Sequence, residues 1–81
     1  MRPKKLKVGD TVRVLNEKRH IVSFIDDGGL PIIVYKVWRV SKKRWFYECD
    51  SFASFLFLIC LNEEYSKEKR NQLYEINGLN Y

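Results

Sequence analysis

Apolar and polar positions alternate as soon as the basic opening of the chain is past. In Val8-Gly9-Asp10-Thr11-Val12-Arg13-Val14-Leu15, Val12 and Val14 point one way while Thr11 and Arg13 point the other. That period of two marks a strand, with Gly9-Asp10 as the bend that opens it. Asn16-Glu17-Lys18 is turn-like. A second strand is predicted over about Arg19 to Asp26, where Ile21, Val22, Phe24 and Ile25 carry β preference. Asp26-Asp27-Gly28-Gly29 is the strongest turn signal, because Asp and Gly tolerate positive φ. Pro31 lacks an N–H and belongs at the start or edge of the next strand. That strand runs from Ile32 to Val40; Ser41-Lys42-Lys43-Arg44 turns the chain, and Trp45-Phe46-Tyr47-Glu48-Cys49 returns it as a fourth.

Charge suggests the register of this last hairpin. A loop of Ser41-Lys42 sets Arg39 opposite Arg44, a like-charge pair that costs stability. A loop of Lys42-Lys43 instead pairs Val40 with Trp45 and Trp38 with Tyr47, and this is the expected register. Lys-Lys is a poor primed-turn sequence, so a longer or bulged loop stays open. One hairpin face then carries Val34, Lys36, Trp38, Val40, Trp45, Tyr47 and Cys49. The other carries Ile33, Tyr35, Val37, Arg39, Phe46 and Glu48. Both are partly apolar, and the pattern does not say which faces the core.

Asp50-Ser51 is suited to cap a short helical turn through Phe52-Ala53-Ser54. Phe55 to Leu61 then reads as a last strand buried on both sides. A helix running on from Ser51 is the rival reading, since a run apolar all round has no visible period. Beyond it, Asn62 is a good N-cap, Glu63 and Glu64 suit a first turn, Lys69 and Arg70 follow, and Gly78 fits C′. A helix from about Glu63 to Ile76 is predicted, with Tyr65, Leu73 and Ile76 as its inward stripe.

The expected architecture is therefore one mostly β (α+β) domain over residues 1–81. It has a basic arm (1–7), a β core (8–61), a C-terminal helix within 62–77 and a tail (78–81). The β core is expected as a small five-stranded antiparallel barrel or bent sheet. Its opening, Lys7-Val8-Gly9-Asp10-Thr11-Val12-Arg13-Val14, resembles the first strand of small SH3-like β-barrels of the KOW and Tudor-like type. That resemblance implies a barrel that binds RNA, DNA, ribosomal components or peptides. It transfers no functional residue, because neither the KOW glycine signature nor an aromatic cage is present.

Composition narrows the class. Eighty-one residues with 46% hydrophobic content argue for a folded domain rather than disorder. A core of this size supplies about 3–5 kcal/mol, so association with a partner or as a homodimer is an expected source of further stability. Cys49 and Cys60 lie in apolar or aromatic runs and read as buried free thiols. His20 is the only histidine and no Cys-x-x-Cys pair exists, so neither a metal site nor any cofactor is expected. The basic start lacks the apolar stretch of a signal peptide, and Phe55–Leu61 is far shorter than the ~20 residues of a bilayer span. A cytoplasmic protein without membrane association is the expectation. Net charge is +5 and unevenly spread: residues 1–44 carry +8 and residues 45–81 carry −3. A basic side that meets polyanions or an acidic protein follows from that asymmetry, ordinary solubilising charge being the plain alternative.

Catalytic constellations are lacking in the sequence. Neither cysteine has a base beside it, the adjacent carboxylates Asp26-Asp27 and Glu63-Glu64 sit in a turn and a helix start, and Gly28-Gly29 lacks the Lys-Ser/Thr of a phosphate loop. The chain reads as non-enzymatic. Its most informative segment is Lys36 to Tyr47, where five cations interleave with four aromatics. Lys36, Arg39, Lys42, Lys43 and Arg44 suit phosphates, and Trp38, Trp45 and Tyr47 suit stacking on unpaired bases. The leading expectation is a nucleic-acid-binding module. The same residue types favour protein–protein contacts, so an adaptor or a small inhibitor of the kind phages and mobile elements encode stays open. Arg2, Lys4, Lys5 and Lys7 of the arm weigh toward nucleic acid.

Overall fold

The computed structural model describes residues 2–79, so Met1 of the expected arm and residues 80–81 of the expected tail lie outside it. Four strands come first: β1 (Thr11–Val14), β2 (Glu17–Asp27), β3 (Leu30–Arg39) and β4 (Arg44–Ser51). Two helices follow, α1 (Phe52–Asn62) and α2 (Lys67–Ile76). The strands form one open antiparallel sheet in the order β1-β2-β3-β4. Two-residue turns join the first three strands. Leu15 and Asn16 both have positive φ, as do Gly28 and Gly29, the geometry a primed hairpin turn requires. Asp27 then faces Leu30, and Pro31 faces Asp26 one step before β4 begins to pair at Ile32. Proline therefore sits where β3 has no partner on its β4 side to receive an N–H. A bulge at Val22 shifts the β2–β3 register between Ile21 and Ser23.

The expected fifth strand is a helix, so the sheet stays open and no five-stranded barrel forms. Ser51 caps α1, its hydroxyl accepting from the Ser54 N–H at 3.1 Å. Phe52, Phe55, Leu56, Ile59 and Cys60 are buried, a spacing of three and four that fits a helix stripe and not a strand. The chain then stops in a Schellman motif. Glu64 takes positive φ, Tyr65 N–H bonds the Cys60 carbonyl and Glu64 N–H bonds that of Leu61. Asn62 thus ends α1 instead of capping the next helix. Its side chain braces the β1–β2 turn, accepting from Leu15 N–H and donating to the Arg13 carbonyl. The C-terminal helix starts later than expected, at Lys67, with Ser66 accepting from Lys69 N–H. It ends at Ile76, beyond which Gly78 has φ 80°, with bonds from Gly78 and Leu79 back to Glu75 and Tyr74.

The α1 helix lies across β1, β3 and β4, and α2 packs on α1. Val12, Val14, Ile21, Ile33, Tyr35 and Val37 cover the inner face of the sheet and join Phe55, Leu56, Ile59 and Leu73 in one core. This decides the hairpin faces: the side with Ile33, Tyr35, Val37 and Phe46 is inward. Leu6 enters the same core, and the basic arm is fastened there by Asn77. That side chain accepts from Leu6 N–H at 2.8 Å and donates to the Lys4 carbonyl at 3.0 Å. No helix among the described residues is long and apolar enough to cross a membrane.

The β3–β4 register departs from the charge argument by two residues. Trp38 faces Trp45, and Arg39 faces Arg44 after all. A four-residue loop, 40–43, allows this, with Lys43 at positive φ and its N–H on the Arg39 carbonyl at 2.8 Å. The like-charge cost is relieved because each arginine has another partner. Arg39 bonds Glu17 and Glu48, while the Arg44 guanidinium lies 4.6 Å from the Phe46 ring centroid. A shift of two leaves every side chain on its face, so the sorting of the hairpin survives the wrong register.

Candidate functional site

Neither helix covers the outer face of the sheet among the described residues, and this is where the aromatic and basic residues gather. One row crosses all four strands as Thr11, His20, Lys36 and Tyr47. The next pairs Trp38 with Trp45, and Arg13 and Lys18 of the β1–β2 hairpin line the same shallow depression as those two rings. On the far side lie Ser23, Val34 and Cys49, then Ile25, Ile32 and Ser51. Neighbouring strands stand ~4.8 Å apart, and rows two residues apart stand about 6.6–6.8 Å apart. Tyr47 is 71% exposed, Trp45 41% and Trp38 36%. For rings that pack nowhere in the core, such exposure makes the face a platform.

Local contacts hold the platform in shape. Trp38 and Trp45 meet edge to face at 5.5 Å, and the Lys36 ammonium stands 5.0 Å from the Trp45 ring centroid. Thr11 Oγ1 and His20 Nδ1 are 3.0 Å apart in the adjoining row. The expected site residues therefore divide. Lys36, Trp38, Trp45 and Tyr47 share the outer face. Lys42 and Lys43 project from the exposed loop at its end. Arg39 and Arg44 lie on the opposite face, the first between two carboxylates and the second on Phe46. Arg13, Lys18 and His20 also belong to the outer face, although the cluster of cations and aromatics does not include them; the alternation that turns Thr11 and Arg13 away from Val12 and Val14 is the signal that finds them. Cys49 is likewise an exposed free thiol, and only Cys60 is buried. Lys4, Lys5 and Lys7 gather with Asp10 around a second shallow depression.

Beneath the platform, on the helix side, runs a polar network that explains where Arg39 goes. Tyr35 OH donates to Asp50 at 2.7 Å, with Glu48 3.4 Å away, and accepts from the buried Arg19 guanidinium at 3.3 Å. Arg19 also reaches Glu17 at 3.4 Å, and Arg39 bridges Glu17 and Glu48. The bond to Glu48 is the main reason the Arg39 pKa is raised, so this cation is committed within the fold. Burial first, and the bond to Asp50 second, push the Tyr35 phenol above its ordinary value. A tyrosine whose folded pKa exceeds its unfolded value of about 10 stabilises the fold fully below that pH and progressively less above it. We expect stability, followed by urea unfolding from pH 9 to pH 11.5, to fall by up to about 1.4 kcal/mol per pH unit through this one group. Tyr35→Phe should remove that component of the slope and leave the share that buried Cys60 and Tyr65, also raised by burial, contribute.

No family model, curated protein or solved structure matches this chain.

Proposed function

We propose that this chain is a non-catalytic nucleic-acid-binding module that takes unpaired bases on the outer sheet face. The carrying observation is the convergence of Trp38, Trp45 and Tyr47, all partly exposed, with Lys36, Arg13 and Lys18 on one surface drawn from all four strands. Aromatic faces stack on any base, and interleaved cations answer the phosphates between them. The row spacing of about 6.6–6.8 Å suits successive bases of an extended strand. Lys42 and Lys43 lengthen the basic track at one end, whereas Arg39 and Arg44 serve the fold.

Tryptophan fluorescence tests this directly, since Trp38 and Trp45 are the only tryptophans and both lie on the face. Titration with single-stranded oligonucleotides should give saturable quenching that weakens by an order of magnitude or more between ~50 and ~200 mM salt. A flat signal at low salt would overturn the reading and point to a protein partner instead. We further expect the double reversal Lys42→Glu with Lys43→Glu to lower affinity several-fold at low salt and to shallow the salt dependence. The domain should stay folded, because both side chains are in solvent.

A further inference from the structure

The β4 strand ends the sheet. Toward β3 it is paired from Ser51 opposite Ile32 to Arg44 opposite Arg39. Its other side, with half the backbone N–H and C=O groups of eight residues, meets no hydrogen-bonding group among the described residues. Proteins blunt such edges with lysine, proline, a bulge or inward-pointing charges, and here the inward Glu48 and Asp50 are engaged by Arg39 and Tyr35. The sequence Arg44-Trp45-Phe46-Tyr47-Glu48-Cys49-Asp50-Ser51 contains neither lysine nor proline, and the one register shift of the sheet lies between β2 and β3. The strand is also self-complementary when antiparallel to itself, being cationic where it begins and anionic where it ends.

We propose that two copies join along β4 about a twofold axis at Tyr47, giving one continuous sheet of eight strands. Face continuity allows only registers that keep odd residues opposite odd ones, because a slip of one turns the platform of one copy toward the core side of the other. Among these, pairing Tyr47 with the second copy's Tyr47 places Arg44 opposite Asp50 twice, Phe46 opposite Glu48 and Trp45 opposite Cys49. Moving the axis to Glu48 sets two carboxylates against each other. Moving it to Phe46 shortens the paired length to five residues and directs Arg44 at Glu48, which Arg39 already holds. Of the two registers that pair opposite charges, the Tyr47 one is longer and leaves Glu48 to Arg39, and Arg44 has no ion-pair partner among the described residues within its own chain. Both Trp38–Trp45–Tyr47 platforms then face the same side and meet at the two Tyr47 rings.

The dimer is independent of any nucleic acid, so its test uses the protein alone. Sedimentation velocity across the micromolar range should show a concentration-dependent dimer. Arg44→Asp and Asp50→Arg should each weaken it by about tenfold or more, since each puts like charges opposite twice. Mixing the two variants should restore the dimer, because every 44–50 pair then joins opposite charges. Asp50 accepts from Tyr35, so Asp50→Arg is vulnerable to misfolding, and cross-linking gives a second readout. Tyr47→Cys in a Cys49→Ser background should oxidise to a covalent dimer, whereas the natural Cys49, placed opposite Trp45, should not link to its copy. A wild-type chain that stays monomeric throughout, or Tyr47→Cys chains that link no faster than the natural Cys49, would overturn the proposal while leaving the nucleic-acid reading untouched.

Discussion

Replacing Phe55 with alanine should cost about 3–5 kcal/mol and move the urea midpoint sharply down. Phe55 has no solvent exposure, and its ring packs against Tyr35 at 5.2 Å in the middle of the core. Domains of this length have only about 0.05–0.15 kcal/mol of net stability per residue, so a cavity of one aromatic ring consumes much or all of it. Phe57→Ala is the informative companion. That side chain is 42% exposed, and its loss should cost about 1 kcal/mol or less. In a strand, residues 55 and 57 would share one face and cost alike; in α1 they point in different directions. Urea unfolding of the two variants therefore reads the secondary structure of this segment as well as its stability. Equal losses would sink the helix assignment.

This contrast also explains what was legible. The first four strands could be read because alternation and turn chemistry agree: Asp27-Gly28-Gly29-Leu30 makes the turn its composition announces, and β1 alternates around Val12 and Val14. The helix α1 was hidden by its own hydrophobicity. Phe57 and Leu61 occupy exposed positions where a surface helix usually places polar residues, so the inward spacing of Phe52, Phe55, Leu56, Ile59 and Cys60 had no contrasting background. Its end was hidden too, since the residue taking the left-handed conformation is Glu64 and not glycine.

For the candidate site, period two is enough to put Lys36, Trp38, Trp45 and Tyr47 on one side, and an error of two in register does no harm to that grouping. The fate of Arg39 is out of reach of the sequence. Its carboxylate partners lie 22 and 9 residues away, and only the three-dimensional sheet brings Glu17 and Glu48 to the same guanidinium. Charge counted along the chain overstates the cations open to a ligand for that reason. The core-facing side is equally undecidable from the pattern, because the helix that covers it reads as a strand.

The largest expected effect on binding belongs to the platform rings. Trp45→Ala combined with Tyr47→Ala removes two stacking surfaces in neighbouring rows. At about 1–3 kcal/mol for each stacked base, single-strand affinity should fall by roughly 30-fold to 10⁴-fold. The slope of affinity against salt should stay where it was, since no phosphate-binding charge has been removed. Lys42→Glu with Lys43→Glu should do the reverse, a smaller loss of affinity with a slope shallower by about 1.4 if each lysine holds one phosphate. The two signatures separate the roles that a hairpin rich in both residue types would otherwise confound. Stability should change little in the aromatic variant, because neither ring enters the core and Trp45 chiefly holds its edge-to-face neighbour Trp38 and the ammonium of Lys36. Fluorescence from the remaining Trp38, or anisotropy of a labelled oligonucleotide, can follow the binding. If affinity and slope fell together in the aromatic variant, the rings would be acting only to position Lys36 and its neighbours, and base stacking would have to be abandoned as the source of binding.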